Sequence, residues 1–192
     1  MPKHKDESSS EQFQSLYTLH RLVWTALLAA LIAVGSYLHL SIGPVPISFQ
    51  TLFVLLSGFI LGMSGGIISV VLYILAGILG LPVFAGGTAG LGHLLGPTGG
   101  YILGFLGAAF ITGLSKYFSR SSLTSWTRGL FSALLGLIPI YALGLPWLKL
   151  TLDLNWIKAL SIGLLPFLPG AVLKVLLCVL ILRFLQKYDL TP

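Results

Sequence analysis

Residues 22–40 read Leu-Val-Trp-Thr-Ala-Leu-Leu-Ala-Ala-Leu-Ile-Ala-Val-Gly-Ser-Tyr-Leu-His-Leu, nineteen positions without a charged side chain. A helix rises about 1.5 Å per residue, so this stretch is roughly 28 Å long, close to the roughly 30 Å hydrocarbon core of a bilayer. It reads as a membrane span, and the rest of the chain has the same character. Of 192 residues, 56% are hydrophobic and 8% charged, and the mean hydropathy is +0.97. Soluble domains carry roughly 25% charged residues. This composition therefore argues against a soluble enzyme, a nucleic-acid partner and a disordered tail.

Further apolar runs cover 47–61, 67–81, 99–118, 129–147 and 159–185. Gly43-Pro44-Val45-Pro46 predicts a rigid turn, and Gly62, Gly65 and Gly66 separate the second run from the third. Pro166, Pro169 and Gly170 interrupt the last run. A proline inside a helix costs about 3 kcal/mol, so the sixth helix is placed from Pro169 onward, with 159–168 as an interfacial or re-entrant approach. The expectation is an all-α integral membrane protein of six transmembrane helices. Its parts are a polar cytoplasmic segment 1–21, a membrane domain 22–187 and a tail 188–192. Phe13, Leu16, Tyr17 and His20 recur at helical spacing and predict a short amphipathic helix on the membrane surface.

Eleven Lys and Arg against five Asp and Glu give a net charge of +6, which in such a chain sets orientation. With the N-terminus inside, Lys3, Lys5, Arg21, Lys116, Arg120, Arg128, Arg183 and Lys187 are cytoplasmic, while Lys149 and Lys158 are outside. Cytoplasmic loops are enriched in basic residues, so the topology is N-in, C-in. Cys178 is the single cysteine and can form no intramolecular disulfide.

Sorting polar groups by depth brings Ser48, Gln50, Thr51, Thr98, Tyr101 and Tyr141 to the outer side. Between the third and fourth runs, seven of the fifteen residues from 86 to 100 are glycine and none is charged. Such a loop is expected to pack back on the bundle, where glycine allows close approach to a ligand. Short spans beside irregular backbone point to a binding site. Lys174 is the lone Lys, Arg, Asp or Glu inside a span, where a charge costs about 2.5–3.5 kcal/mol. It reads either as a partner for a bound anion, helped by a helix N-terminus at Pro169-Gly170, or as a lysine snorkelling to the outer headgroups.

Other motifs lead nowhere. Gly62-Met63-Ser64-Gly65 looks like an intramembrane serine protease motif, but His39 and His93 belong to the opposite face. Gly90-Leu91-Gly92 lacks the G-K-[ST] of a nucleotide loop, so the chain carries no ATPase of its own. The histidines are too scattered for a metal site. Ala26, Ala29, Ala30 and Ala33 form small-residue pairs, as do Gly58, Gly62 and Gly66. Such pairs serve either packing within the bundle or docking to another membrane subunit.

Four stretches in order, Gly43-Pro-Val-Pro-Ile-Ser-Phe-Gln-Thr-Leu52, Gly80-Leu-Pro-Val-Phe84, Gly92-His-Leu-Leu-Gly-Pro-Thr-Gly-Gly-Tyr101 and Pro166-Phe-Leu-Pro-Gly170, resemble the BioY family over about residues 22–187. The resemblance implies an S-component-like bundle of an energy-coupling factor (ECF) transporter in the bacterial cytoplasmic membrane, surrounded by lipid. It further implies capture of biotin as the transported ligand, with no cofactor and no enzymatic activity. The partners implied are a coupling membrane protein and two ATPase subunits, the former docking on Ala26, Ala29, Ala30 and Ala33. Together the depth sorting and the resemblance give a candidate site of Gln50, Thr51, Phe84, Gly86, Gly87, Gly90, Tyr101, Tyr141, Phe167, Gly170 and Lys174. Two departures stand out. Ala171 stands where the family commonly has Asp, and the 62–66 turn lacks the basic residues often found there. A subunit for another small vitamin or carboxylate, or a stand-alone facilitated biotin transporter, are the alternatives.

Overall fold

The structure, a computed structural model, describes residues 3–41, 43–118 and 124–191, with side chains except at 3–15, 17 and 118. Arg120 and the side chains of Lys3, Lys5, Phe13 and Tyr17, which entered the expectations above, lie outside the described residues. The elements are α1 (Lys3–Tyr37), β1 (His39–Leu40), β2 (Ile47–Ser48), α2 (Gln50–Ile78), α3 (Leu91–Leu95), α4 (Gly99–Phe118), α5 (Trp126–Thr151), α6 (Trp156–Gly163) and α7 (Leu168–Lys187). A 3-10 turn, Leu165–Phe167, joins the last two.

α2 is a hairpin rather than a rod. Gly62 has φ 74° and ψ −175°, and a Cβ at Gly66 would lie 2.8 Å from the Cα of Gly58. Residues eight apart in a straight helix are about 12 Å apart, so the arms 50–61 and 63–78 must fold back on each other. Positive φ of this kind favours glycine. α4 packs into the same contact, where a Cβ at Gly113 would meet the Met63 nitrogen at 2.5 Å. Gly58, Gly62 and Gly66 thus serve packing within the bundle. At the reversal, the Lys116 ammonium donates to the Ile60 carbonyl at 2.9 Å.

Among the described residues, α1, the two arms of α2, α4, α5 and α7 form a bundle of six rods. Thr18–Tyr37, Gln50–Ile78, Trp126–Thr151 and Trp156–Lys187 are long and apolar enough to cross a membrane. α4 packs between α2 and α5, where a Cβ at Gly104 would come 2.5 Å from the Ile140 Cα. The core includes Leu28, Leu55, Tyr73, Phe84, Leu148 and Cys178.

Some boundaries differ from those read in the sequence. The helix of α1 runs unbroken from Lys3, so residue 21 is not a break. Ile47 and Ser48 belong to a two-residue antiparallel ladder with Leu40 and His39, not to the second span. Its geometry follows from the proline-rich turn, which cannot continue a helix. The third run stops at Ile78 because Gly80 takes φ 100°. The break near Pro169 is present as the 3-10 turn, with α6 as the approach.

Because backbone meets backbone at Gly58 and Gly66, Gly66→Val is expected to separate the arms. Overpacking costs about 1–3 kcal/mol, and the variant should unfold at a lower temperature in detergent, measured by thermal denaturation.

Candidate functional site

The β1–β2 ladder, the glycine-rich loop and the upper ends of α2, α4, α5 and α7 meet around a cavity. The wall is mostly apolar. Tyr101 of α4 stacks on Phe167 with centroids 6.2 Å apart and meets Tyr141 of α5 edge-on at 6.4 Å. The Tyr101 hydroxyl donates to the Gly163 carbonyl at 2.9 Å. That bond requires a bare α-carbon, since a Cβ at Gly163 would lie 2.5 Å from the phenol oxygen. α6 is thereby tied to α4, and the aromatic shelf is fixed in place.

The polar side is equally organised. The Ser48 hydroxyl donates to Gln50 Oε1 at 2.9 Å, and Gln50 Nε2 donates to the Tyr73 hydroxyl. This sets which end of the Gln50 amide faces which neighbour. Thr51 completes that wall. Across the cavity, α7 begins at Leu168 with no side chain capping its N-terminus, and Ala171 and Lys174 line the space. Lys174 is 6% exposed. Among the described residues its Nζ has no hydrogen-bond or ion-pair partner and lies over the Phe49 ring, 6.0 Å from the centroid. A second, apolar cavity, lined by Leu38, Leu40, Phe49 and Leu173 among others, shares Lys174 with the first. The arrangement offers one cation, an amide, hydroxyls and flat aromatic faces to a small, partly apolar anion.

A model of the BioY family matches residues 6–189. The chain belongs to the BioY family. It is 42% identical over 161 residues to the probable biotin transporter BioY of Pyrococcus horikoshii, spanning 84% of this chain and 93% of that one. To the biotin transporter BioY of Thermotoga maritima it is 38% identical over 172 residues, 89% and 98% of the two chains. The fold matches the crystal structure of the S-component for biotin from an ECF-type ABC transporter with a TM-score of 0.79 and 32% identity, covering 89% of this chain and 93% of that chain. The fold is thus that of an S component in a multi-pass membrane protein.

Of the BioY site residues expected from sequence, Gln50, Thr51, Tyr101, Tyr141, Phe167 and Lys174 line the cavity together. Phe84 does not. It is fully buried behind the wall, edge-on to Tyr73 at 5.6 Å and stacked on His93 at 5.0 Å. Gly86, Gly87 and Gly90 also stay out of the lining. They take φ of 77°, 71° and 88° and turn the loop, while Ala85 and His93 present its inner surface. Gly170 borders the second cavity. Sequence reasoning left His93 out of the site, although threonines five residues to either side marked it as a possible hub. Ala26 and Ala30 lie exposed on α1, while Ala29 and Ala33 are half-buried.

Since Phe84 is fully buried behind the cavity wall, Phe84→Ala should lower stability. A Phe→Ala change in a core costs about 3–5 kcal/mol, and thermal unfolding without ligand is expected to report the loss.

Proposed function

We propose that this chain is the biotin-binding subunit of an uptake system and captures the vitamin in the cavity bounded by Lys174, Tyr101 and Gln50. The observation that carries the reading is the Lys174 ammonium, almost fully buried at the cavity wall with no acidic partner among the described residues. A bound carboxylate supplies the charge that Ala171 does not. The α7 N-terminus adds a partial positive charge on the same side. Biotin's apolar bicycle lies against Tyr101, Phe167 and Tyr141, and its amide-like ureido group meets Gln50, Ser48 and Thr51. The names of the relatives and of the matching structure support the same ligand.

In this reading the cavity end faces outward and both termini lie in the cytoplasm. Arg21 and Lys116 line a cleft beside the Gly62 reversal, and Arg183 donates to the Thr124 carbonyl at 2.8 Å. Both features belong to the inner end, while Lys149 and Lys158 lie at the outer one, in keeping with the positive-inside rule. Uptake is energised by partner subunits, a coupling membrane protein and two ATPases. Ala26 and Ala30, exposed one turn apart on α1, form the part of the small-residue face open to the coupling protein.

Calorimetry on the purified protein tests the ligand assignment. Biotin should bind, and Lys174→Met should weaken it roughly 10- to 150-fold, since a hydrogen bond to a charged group contributes about 1.5–3 kcal/mol. Biotin amide should bind wild type as poorly as biotin binds Lys174→Met, with little further loss when both changes are combined. A folded protein that fails to bind biotin would overturn the assignment.

A change at the docking face should separate capture from uptake. Ala30→Trp is expected to leave biotin affinity unchanged and to abolish co-purification with the coupling protein and ATPases.

A further inference from the structure

We infer that His93 is a positioning residue that clasps the glycine-rich loop over the cavity through both ring nitrogens, and so governs how long the bound ligand is held. The inference rests on the cavity being the ligand site.

The argument is one of proton accounting. His93 Nδ1 lies 2.9 Å from the Thr88 hydroxyl, and Nε2 lies 3.0 Å from the Thr98 hydroxyl. The Thr88 hydroxyl already donates to the Ala85 carbonyl at 3.0 Å, so toward the ring it can only accept. Nδ1 therefore carries the proton, and Nε2 is the lone pair that receives the Thr98 hydroxyl. Each group has its partner in this one tautomer of the neutral ring. The ring is also stacked on Phe84, 5.0 Å between centroids and 12° from parallel, and Phe84 is fixed in the core.

The three residues joined this way belong to different pieces of the roof. Thr88 closes the turn 84–88, where the Phe84 N–H donates to the Thr88 carbonyl at 3.0 Å. His93 sits on α3. Thr98 precedes the first turn of α4, which carries Tyr101. Ala85, His93 and Thr98 all line the cavity. Breaking the clasp frees the turn that carries Ala85 from the helix that carries the aromatic shelf.

Protonation is unfavourable in this setting. Burial holds the His93 imidazole below its ordinary value. An imidazolium would require the Thr98 hydroxyl to turn from Nε2 toward the His93 carbonyl, 3.4 Å away. The titratable groups facing this region are Lys174 of α7, Tyr101 of α4 and Tyr141 of α5 across the cavity, Tyr73 of α2 behind Phe84, and Tyr37 of α1 beside Gly87. Among the described residues none of them is a carboxylate, and Lys174 is itself a cation. The sign follows. In the open loop His93 titrates near the usual value of about 6.5, and in the closed loop it titrates lower. The clasp's contribution to closure is full above the open-loop value and is lost as pH falls from there through the lower closed-loop value.

The test is the rate at which labelled biotin leaves the purified protein when chased with unlabelled biotin, from pH 8 to pH 5. Wild type is expected to release biotin about tenfold faster at pH 5. His93→Ala should release it fast at both pH values. His93→Gln, which keeps a donor and an acceptor but does not titrate, should release it at an intermediate rate that does not change with pH. Wild-type release from His93→Ala at pH 8, or a pH response that survives unchanged in His93→Gln, would overturn the inference. Hydrogen exchange of residues 84–98 in the ligand-free protein provides a second readout. His93→Ala should speed it, and unchanged exchange counts against the clasp. Faster exchange in a protein that does not bind biotin would instead overturn the site reading and leave the clasp supported.

Discussion

The fold depends on direct backbone contact between the arms of α2 and α4. In hydrocarbon, helices gain little from hiding apolar surface, and association rests on close van der Waals approach and satisfied backbone groups. Gly58, Gly66 and Gly113 provide that approach by leaving no side chain in the way, and Gly62 provides the reversal. The consequence reaches the opposite end of the bundle. Once the arms lie antiparallel, Gln50 and Tyr73, twenty-three residues apart in sequence, come within hydrogen-bond reach. Tyr73 in turn supports Phe84 and so the loop.

The site divides into a fixed part and a polar part with an opening for charge. Tyr101, held by the Gly163 carbonyl and by Phe167, gives a rigid aromatic surface. The Ser48–Gln50–Tyr73 chain orients a single amide. Among the described residues Lys174 has no acidic neighbour, so the electrostatic balance of the cavity is left to what binds there. A buried charge without a partner is expensive, and that cost favours an occupant of opposite sign.

Much of this was legible in the sequence because membrane spans declare themselves by length and by the absence of charge. The bounds of α4 and the break near Pro169 could be read directly, since Pro and Gly act locally. That Gln50, Thr51, Tyr101, Tyr141 and Lys174 lie around one cavity followed from depth alone. The loop was another matter. Its composition said that it packs on the bundle, but which residues face inward is set by the positive φ values at Gly86, Gly87 and Gly90 and by the anchoring of Phe84. These are tertiary facts with no periodic signal. For that reason Phe84 was expected in the lining and His93 was overlooked. The β1–β2 ladder escaped notice because two residues per strand are too few to show alternation.

The tethering of residues 79–98 has a consequence in polymer terms. The Gly90 N–H donates to the Gly77 carbonyl at 2.8 Å, Trp147 Nε1 donates to the Gly96 carbonyl at 2.9 Å, and Phe84 is sunk in the core. A twenty-residue chain is thereby cut into stretches of about six residues. Loop-closure entropy grows with the logarithm of length, about 0.6 kcal/mol per doubling, so each short stretch has little disorder left to lose. The roof resembles a jointed plate more than a tether, and the entropy given up when it settles on a ligand is correspondingly small.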